Sequence, residues 1–247
     1  MNKRFIDIHS HIAWGIDDGI QTEDDAGQAL SDAWKDGILA ICSTPHIIPG
    51  KTTPDDLQKM LQRQKELMEK GHKQGIYVYS GSEVLMNIDF MELLENGIYQ
   101  TLNESKYLLV EFDLANDVHY MPYILEYLDA LVCRDIIPVI AHVERFFPTG
   151  LDMDMIERWS EIGCLFQVNR TSLVGNHGKV IKKNAWKLVK EHRVHMISTD
   201  AHSIEGSRIV KLSDVYSLVK KQCSEEYADE LFYKIPFKVL NDDEVFL

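Results

Sequence analysis

The sequence predicts an α/β fold in which parallel strands alternate with longer helices, and three observations support this prediction. Apolar runs of strand length, rich in Ile, Val, Leu and Tyr, alternate with stretches of helical length. Successive runs end roughly 30 residues apart, which is the span of a strand–helix–strand unit. Most of the runs lead directly into a His, Glu or Asp side chain. This spacing is compatible with a closed barrel or with a doubly wound sheet.

Seven apolar runs form the expected strands, and the first of them ends at His9. The other six lie at 38–44, 76–82, 107–110, 137–141, 164–169 and 194–199. Helices are expected between the strands, with Thr22 as the N-cap of the first one because its hydroxyl can accept from the first turn. These helices lie at 22–36, 54–73, 118–134, 152–162, 180–192 and 207–221.

Length and composition indicate one domain, 1–247, with a large core. A chain of 247 residues, of which 45% are hydrophobic, lies in the size range of a single α/β barrel. The 26 basic and 39 acidic residues give a net charge of −13, which repels the phosphate backbone of nucleic acids. No apolar run approaches the ~20 residues of a membrane span. We therefore expect a cytoplasmic protein without membrane insertion or a nucleic-acid partner, and the sequence leaves open whether it forms a homo-oligomer.

Two pairs of side chains carry the strongest sign of a metal site. His9 and His11 are alternate residues at the end of the first strand, so both can reach one ion from the same face. Asp200 and His202 repeat this spacing after the last strand. The carboxyl ends of parallel strands meet at one edge, where ligands from different strands can converge. The other candidates that follow apolar runs are His46, Glu83, Glu111 and His142.

The four cysteines are expected to be reduced thiols, because none of them belongs to a Cys-x-x-Cys pair. Cys164 and Arg170 have the Cys-x5-Arg spacing used by cysteine-dependent phosphatases. In those enzymes the intervening residues form a tight loop whose amides surround the phosphate. Here residues 165–169 contain no glycine and form an expected strand, so we do not expect cysteine chemistry.

Motifs along essentially the whole chain resemble the polymerase-and-histidinol-phosphatase (PHP) superfamily. They lie at 7–11, 16–19, 43–46, 81–83, 110–112, 140–145 and 198–202. Within this superfamily, the sequence resembles the manganese-dependent protein-tyrosine phosphatases that accompany capsular and exopolysaccharide operons of Gram-positive bacteria. The resemblance implies a distorted seven-stranded β/α barrel with three divalent metal ions at the carboxyl ends of the strands. Mn is the implied metal, and the mixed imidazole and carboxylate ligands also suit Fe or Zn, with Mg as a further alternative.

The resemblance also implies which residues hold each ion. The first ion would bind His9, His11, Glu83 and Asp200, the second Glu83, Glu111 and His142, and the third Asp18, His46 and His202. Glu83 would bridge two ions, and Asp17 remains an alternative to Asp18. Arg145 and Arg208 match the catalytic arginines that hold the phosphate in this family, since a planar guanidinium can donate two hydrogen bonds to phosphate.

The implied reaction is hydrolysis of phosphotyrosine by a metal-bound hydroxide, because clustered cations lower the pKa of bound water and neutralise phosphate oxygens. The expected substrate is a phosphotyrosine protein, the tail of a bacterial tyrosine kinase that regulates capsular or exopolysaccharide synthesis. Ile47 and Ile48, directly after His46, are expected to contact the tyrosine ring. The leading alternative is a small-molecule phosphomonoesterase such as histidinol phosphatase. An amidohydrolase or a non-catalytic binding module fits less well, because the candidate ligands are all present and include Glu83.

Overall fold

All strand pairs in the structure are parallel, and they form two sheets. The computed structural model describes residues 4–115 and 118–245. Its strands are β1 (Phe5–Ser10), β2 (Ile38–Ser43), β3 (His46–Ile47), β4 (Tyr77–Ser80), β5 (Glu83–Leu85), β6 (Tyr107–Glu111), β7 (Ile137–Ile140), β8 (Leu165–Asn169) and β9 (Met196–Ser198). The first sheet has the order β1-β2-β4 and the second the order β3-β5-β6-β7-β8-β9. The predicted α/β fold with parallel strands is confirmed.

The strand pairing differs from a closed seven-stranded barrel, because two short strands that were not predicted, β3 and β5, follow the predicted runs at 38–44 and 76–82. The run at 38–44 gives β2, and β3 follows after Thr44 and Pro45. The run at 76–82 gives β4, and β5 follows after a break at Gly81. Pro45 has no N–H group to donate to a neighbouring strand, and a side chain at Gly81 would press against Leu102. After the breaks the chain continues in the second sheet, so the described residues form nine strands in two sheets.

The carboxyl ends of the first and last strands lie next to each other. An isolated parallel bridge joins Ser10 to Ala201. The His11 N–H donates to the Ala201 carbonyl at 2.8 Å, and the Asp200 N–H donates to the His9 carbonyl at 2.9 Å. The two ligand-type pairs, which are 191 positions apart in the sequence, are therefore neighbours in the fold.

Ten α-helices lie in the described part of the chain. They are α1 (Glu23–Asp36), α2 (Pro54–Gln74), α3 (Phe90–Asn96), α4 (Tyr123–Val132), α5 (Met153–Ile162), α6 (Arg170–Val174), α7 (Lys179–Lys190), α8 (Ser213–Gln222), α9 (Glu225–Asp229) and α10 (Ile235–Leu240). The prediction for Thr22 is confirmed, because its hydroxyl accepts from the Asp25 N–H at the start of α1. A π-helical turn, Glu230–Lys234, joins α9 to α10.

Two helices begin later than the sequence predicts. Of the region 118–134, Val118–Tyr120 form a short 3-10 turn and α4 begins only after Pro122. Of the region 207–221, only the part from Ser213 onward is helical. The Asp36 carboxylate accepts from the backbone N–H groups of Leu212 and Ser213, and this long-range cap fixes the start of α8. Residues 207–212 are consequently a loop.

Both faces of the strands are buried. In β6, Leu108 and Val110 belong to an apolar cluster shared with the helices, whereas Tyr107 and Leu109 belong to a second cluster made mainly of strand residues. This alternation follows from the two-residue period of a strand, and it is typical of parallel sheets that are covered on both sides. Within the described ranges, no helix is both long and apolar enough to cross a membrane.

Candidate metal centre

The nine side chains proposed from the sequence as metal ligands converge where the carboxyl ends of β1, β6, β7 and β9 meet the first residues of β3 and β5. His9 lies on β1, His46 and Glu83 begin β3 and β5, and Glu111 ends β6. The remaining five lie in the loops that follow β1, β7 and β9: His11, Asp18, His142, Asp200 and His202. Three subsets have ligand atoms within 4.8 Å of one another: His11, Asp18, His46 and His202; His9, His11 and Glu83; and His46, Glu83 and Glu111.

Glu83 lies at the middle of this cluster and is almost fully buried, with 1% of its surface exposed. Its Oε2 atom is 3.2 Å from His9 Nε2, 3.1 Å from His11 Nε2 and 3.2 Å from His46 Nδ1. Its Oε1 atom lies 3.0 Å from His142 Nε2. Oε2 accepts no hydrogen bond of acceptable geometry from the described residues. A buried carboxylate surrounded in this way by imidazole nitrogens has the geometry of a bridging metal ligand.

Asp200 completes the group around the first two histidines. Its Oδ1 atom lies 3.5 Å from His9 Nε2 and 3.6 Å from His11 Nε2. Among the residues of the second proposed ion, His142 Nε2 lies 3.6 Å from Glu111 Oε2. These distances bring together the residues that the sequence assigns to the first and second ions.

The outer nitrogens of His9 and His11 are occupied by hydrogen-bond partners. His9 Nδ1 is 3.1 Å from Gln167 Oε1, and His11 Nδ1 is 2.7 Å from Asp17 Oδ2. When each Nδ1 donates to its oxygen, both Nε2 atoms present lone pairs to the cluster, although they lie only 3.2 Å apart. A cation between them satisfies both lone pairs, and this outer-partner arrangement is typical of metal-binding histidines.

Asp17 and Asp18 have different surroundings, which the sequence did not distinguish. The Asp17 carboxylate accepts hydrogen bonds from the backbone N–H groups of Gly19 and His46. It also forms a hydrogen bond with His11 Nδ1. Asp18 Oδ1 instead faces His46 Nε2 and His202 Nε2, each at 3.4 Å. Nε2 of His202 is buried without a hydrogen bond from the described residues. The geometry therefore favours Asp18 over Asp17 as a ligand.

Two cluster residues have left-handed backbone conformations. The φ angles are 33° at His142 and 51° at Asp200, in a region that non-glycine residues seldom adopt. Each lies two residues after the end of a strand, His142 after β7 and Asp200 after β9. Such strain persists only where surrounding contacts enforce it, and it concentrates at functional sites.

The sequence analysis missed the buried polar pair Gln167 and Asn169 on β8. Gln167 accepts from the His142 N–H at 2.8 Å and donates to Asn169 Oδ1, and Asn169 Nδ2 donates to Asp200 Oδ2 at 2.7 Å. These bonds link His9, His142 and Asp200 through a single strand. The signal in the sequence is two polar residues at alternate positions of an otherwise apolar strand.

The negative charges of the cluster control how its histidines bind protons. Burial lowers the pKa of His9, but the charges of Glu83 and Asp200 outweigh it and raise the pKa to about 9. Burial likewise opposes the charge on His46, and the charge of Glu83 with the carboxylates of Asp18 and Glu111 raises its pKa to about 12. The pKa of Glu83 is held well below its ordinary value, because His9 and His46 outweigh burial. The site therefore attracts positive charge, as protons or as metal ions.

Arg145 and Arg208 lie on the Asp200 side of the cluster. Arg208 Nη2 is 2.7 Å from Asp200 Oδ1, and Arg145 Nη1 is 3.8 Å from Asp200 Oδ2. Arg145 belongs to the 3-10 turn Val143–Phe146 that follows His142. Arg208 was expected to open a helix, but it lies in the loop before α8, where its carbonyl accepts from the His202 N–H. Both guanidinium groups keep part of their surface exposed beside the cluster, where they can reach an anion.

A groove of about 700 Å³ opens beside the cluster, and Asp18, His46 and Glu111 are among the residues that line it. Ile48 lines this groove, but Ile47, which was also expected to contact the tyrosine ring, does not. Ile47 is 0% exposed and belongs to the apolar core, because adjacent residues of a strand point to opposite sides.

Cys164 and Arg170 do not form a phosphate-binding loop. Cys164 is buried in the apolar cluster shared with the helices, and burial raises the pKa of its thiol. Residues 165–169 form β8, and Arg170 is paired with Asp214. A buried, protonated thiol is a poor nucleophile, in agreement with the sequence analysis.

Comparison with known proteins gives a consistent family relationship. The family described as "Capsular polysaccharide synthesis, CpsB/CapC" matches residues 5–241. The tyrosine-protein phosphatase CpsB of Streptococcus pneumoniae is 28% identical over 244 residues, covering 96% of this chain and 98% of CpsB. The CapC protein of Staphylococcus aureus is 32% identical over 201 residues, covering 81% of this chain and 77% of CapC.

The fold agrees with this relationship. A crystal structure from a study of YwqE from Bacillus subtilis and CpsB from Streptococcus pneumoniae, described as metal-dependent tyrosine phosphatases, matches with a TM-score of 0.85. The match has 26% sequence identity and covers 98% of this chain and 96% of the other. The resemblance inferred from the sequence motifs is thereby confirmed at the level of sequence and of fold. This chain belongs to the CpsB/CapC family of capsular polysaccharide synthesis.

Proposed function

We propose that this protein is a metal-dependent protein-tyrosine phosphatase, built as one domain over residues 1–247. The observation that carries the proposal is the buried Glu83 carboxylate, within 3.2 Å of the nitrogens of His9, His11 and His46, next to two arginines. The named activity of the relatives CpsB and YwqE supports the same reaction.

The cluster is proposed to hold three divalent metal ions, with Mn preferred and Fe, Zn or Mg as alternatives. The proposed ligands are His9, His11, Glu83 and Asp200 for the first, Glu83, Glu111 and His142 for the second, and Asp18, His46 and His202 for the third. Bound ions supply Lewis acidity for the phosphate oxygens and lower the pKa of bound water. A donor set of imidazoles and carboxylates without thiolate fits Mn, Fe or Zn.

The protein's own residues orient the phosphate and the ligands. Arg145 and Arg208 donate to phosphate oxygens, and the ion pair of Arg208 with Asp200 holds its guanidinium close to the cluster before substrate binds. Asp17 and Gln167 fix the rings of His11 and His9. The phenolate of tyrosine, with a pKa of about 10, leaves more readily than a serine alkoxide, so aryl phosphates should react faster than alkyl phosphates.

The proposed substrate is a phosphotyrosine protein, specifically the tail of a bacterial tyrosine kinase that regulates capsular or exopolysaccharide synthesis. The family description supports a role in capsular polysaccharide synthesis. A flexible tail suits a centre at the carboxyl edge of the sheets, because an extended segment can enter the groove beside it. A tail of this kind would meet the protein in the cytoplasm, where we propose that it acts.

A direct test measures hydrolysis of p-nitrophenyl phosphate by protein stripped with a strong chelator and then supplied with Mn. We expect activity to disappear on chelation and to return with Mn, and full activity in metal-free protein would refute the proposal. Phosphotyrosine, phosphoserine and histidinol phosphate are then compared under one metal condition. A preference for histidinol phosphate would show that the protein is a metabolite phosphatase and not a tyrosine phosphatase.

A further inference from the structure

The groove beside the cluster is lined by three chemically different kinds of side chain. Asp18, His46 and Glu111 of the cluster form part of its wall. The apolar side chains that line it are Ile16, Ile48, Met60 and Leu85, and the other polar ones include Lys51, Thr52, Asp56 and Lys59. A volume of about 700 Å³ lies within the range of ligand-binding clefts and exceeds what one phenyl ring fills.

The two lysines that line the groove differ in their ion pairing. Lys59 Nζ is 3.1 Å from Asp56 Oδ1, so a carboxylate already compensates its charge. Lys51 has no ion pair with any residue in the described part of the chain and is exposed to solvent. On a protein of net charge −13, an uncompensated cation in the groove is a local exception that would attract an anionic group.

Hydrogen bonds fix the backbone of the turn that carries Lys51, close in sequence to His46. The N–H groups of Lys51 and Thr52 both donate to the Ile48 carbonyl, and the Thr52 hydroxyl accepts from the Ile48 N–H at 2.9 Å. Gly50, with a φ of +78°, approaches Asp89 so closely that a side chain there would collide with its carboxylate. The turn begins two residues after His46, so the position of Lys51 relative to the cluster is fixed by its hydrogen bonds.

We infer that Lys51 forms a specificity subsite for an acidic residue next to the phosphotyrosine. The inference rests on the proposed function: with the phosphate at the cluster, the ring lies against Ile48 and Leu85, and the chain beside it passes Lys51. A neighbouring Asp or Glu carboxylate pairs with the Lys51 ammonium group. An exposed pair of this type changes binding severalfold and depends strongly on salt.

The test compares kcat/KM for one phosphotyrosine peptide that carries Glu, Gln or Lys next to the phosphotyrosine, at low salt and with Mn bound. Wild type should prefer the Glu peptide over the Lys peptide by roughly three- to tenfold. Lys51→Glu should reverse this order, and high salt should remove it. Lys65→Glu is the matched control, because it makes the same charge change on an exposed part of α2 outside this groove.

Hydrolysis of p-nitrophenyl phosphate, which has no neighbouring residues, should be the same in wild type and both variants. The subsite is refuted if wild type shows no preference among the peptides, or if Lys51→Glu keeps the preference for Glu. It is also refuted if Lys51→Glu slows p-nitrophenyl phosphate and the peptides equally, since Lys51 would then act on the phosphate. Failure of wild type to hydrolyse any aryl phosphate would instead refute the proposed function.

Discussion

Arg170 and Asp214 form a bidentate ion pair next to the loop that carries Arg208. Arg170 Nη2 lies 2.7 Å and Nε 3.1 Å from Asp214 Oδ2, and the arginine is only 8% exposed. The remaining arm, Nη1, donates to the Ser207 carbonyl at 3.0 Å. One side chain therefore ties α6 to α8 and to the residue before Arg208, which places Arg170 in a positioning role.

We expect Arg170→Met to raise KM for an aryl phosphate roughly three- to tenfold, because Arg208 loses the support of its loop. Metal content should stay unchanged, since Arg170 contacts none of the cluster side chains through a hydrogen bond. The measurements are steady-state kinetics and metal analysis of the same preparation. Arg193→Met removes an exposed ion pair with Glu157 and should leave KM unchanged. In an Arg208→Ala background the effect of Arg170→Met should vanish, and additive effects would show a purely structural role.

Substitution of the two neighbouring aspartates should affect metal binding in different ways. Asp18→Asn should lower the amount of bound metal and strongly reduce activity, because it removes the negative charge of the carboxylate that faces His46 and His202. Asp17→Asn should leave the metal stoichiometry intact and weaken metal affinity roughly 10- to 100-fold through His11. Metal titration of both variants distinguishes them, and the reverse pattern would make Asp17 the ligand.

Arg145→Ala should reduce kcat/KM for an aryl phosphate roughly tenfold or more, because a charged hydrogen bond to phosphate is lost. Arg145 lies 3.8 Å from Asp200, beyond hydrogen-bonding distance, so metal content should not change. Kinetics and elemental analysis check both statements. Loss of metal from this variant would contradict the assignment of Arg145 to phosphate.

Cys164→Ser should leave the rate of hydrolysis nearly unchanged. The thiol is buried among apolar residues, away from the carboxyl edge of the sheets. The substitution places a hydroxyl in that surrounding and should cost about 1–3 kcal/mol of stability. Activity is measured below the thermal transition, so that folded protein is compared. A hundredfold loss of activity in folded Cys164→Ser would revive a cysteine mechanism.

Because of His195, the free energy of unfolding should decrease as the pH falls. Burial lowers its pKa in the folded protein to about 4, and its Nδ1 accepts from the Phe166 N–H. The unfolded chain binds this proton below its ordinary pKa of about 6.5, so stability is lost as the pH falls from about 6.5 to about 4. The full loss should be roughly 3 kcal/mol. His195→Asn keeps an acceptor, and its denaturant-unfolding curve should vary less with pH than that of wild type.

The sequence by itself determined the α/β fold and the edge at which the site forms. Apolar runs at regular spacing give parallel strands, and the ligand-type residues that follow most of these runs are brought to the shared carboxyl edge. For this reason His9, Glu111 and His142 meet in the structure although they are far apart in the chain.

Only the tertiary structure decided the details that depend on contacts between distant segments. The breaks at Pro45 and Gly81, which turn seven expected strands into nine, depend on which neighbouring strand is available for pairing. Asp17 and Asp18 are equivalent in the sequence, and only the positions of His11 and His46 separate them. The roles of Gln167, Asn169 and Arg170 also follow from side-chain hydrogen bonds across strands and helices, which no local pattern specifies.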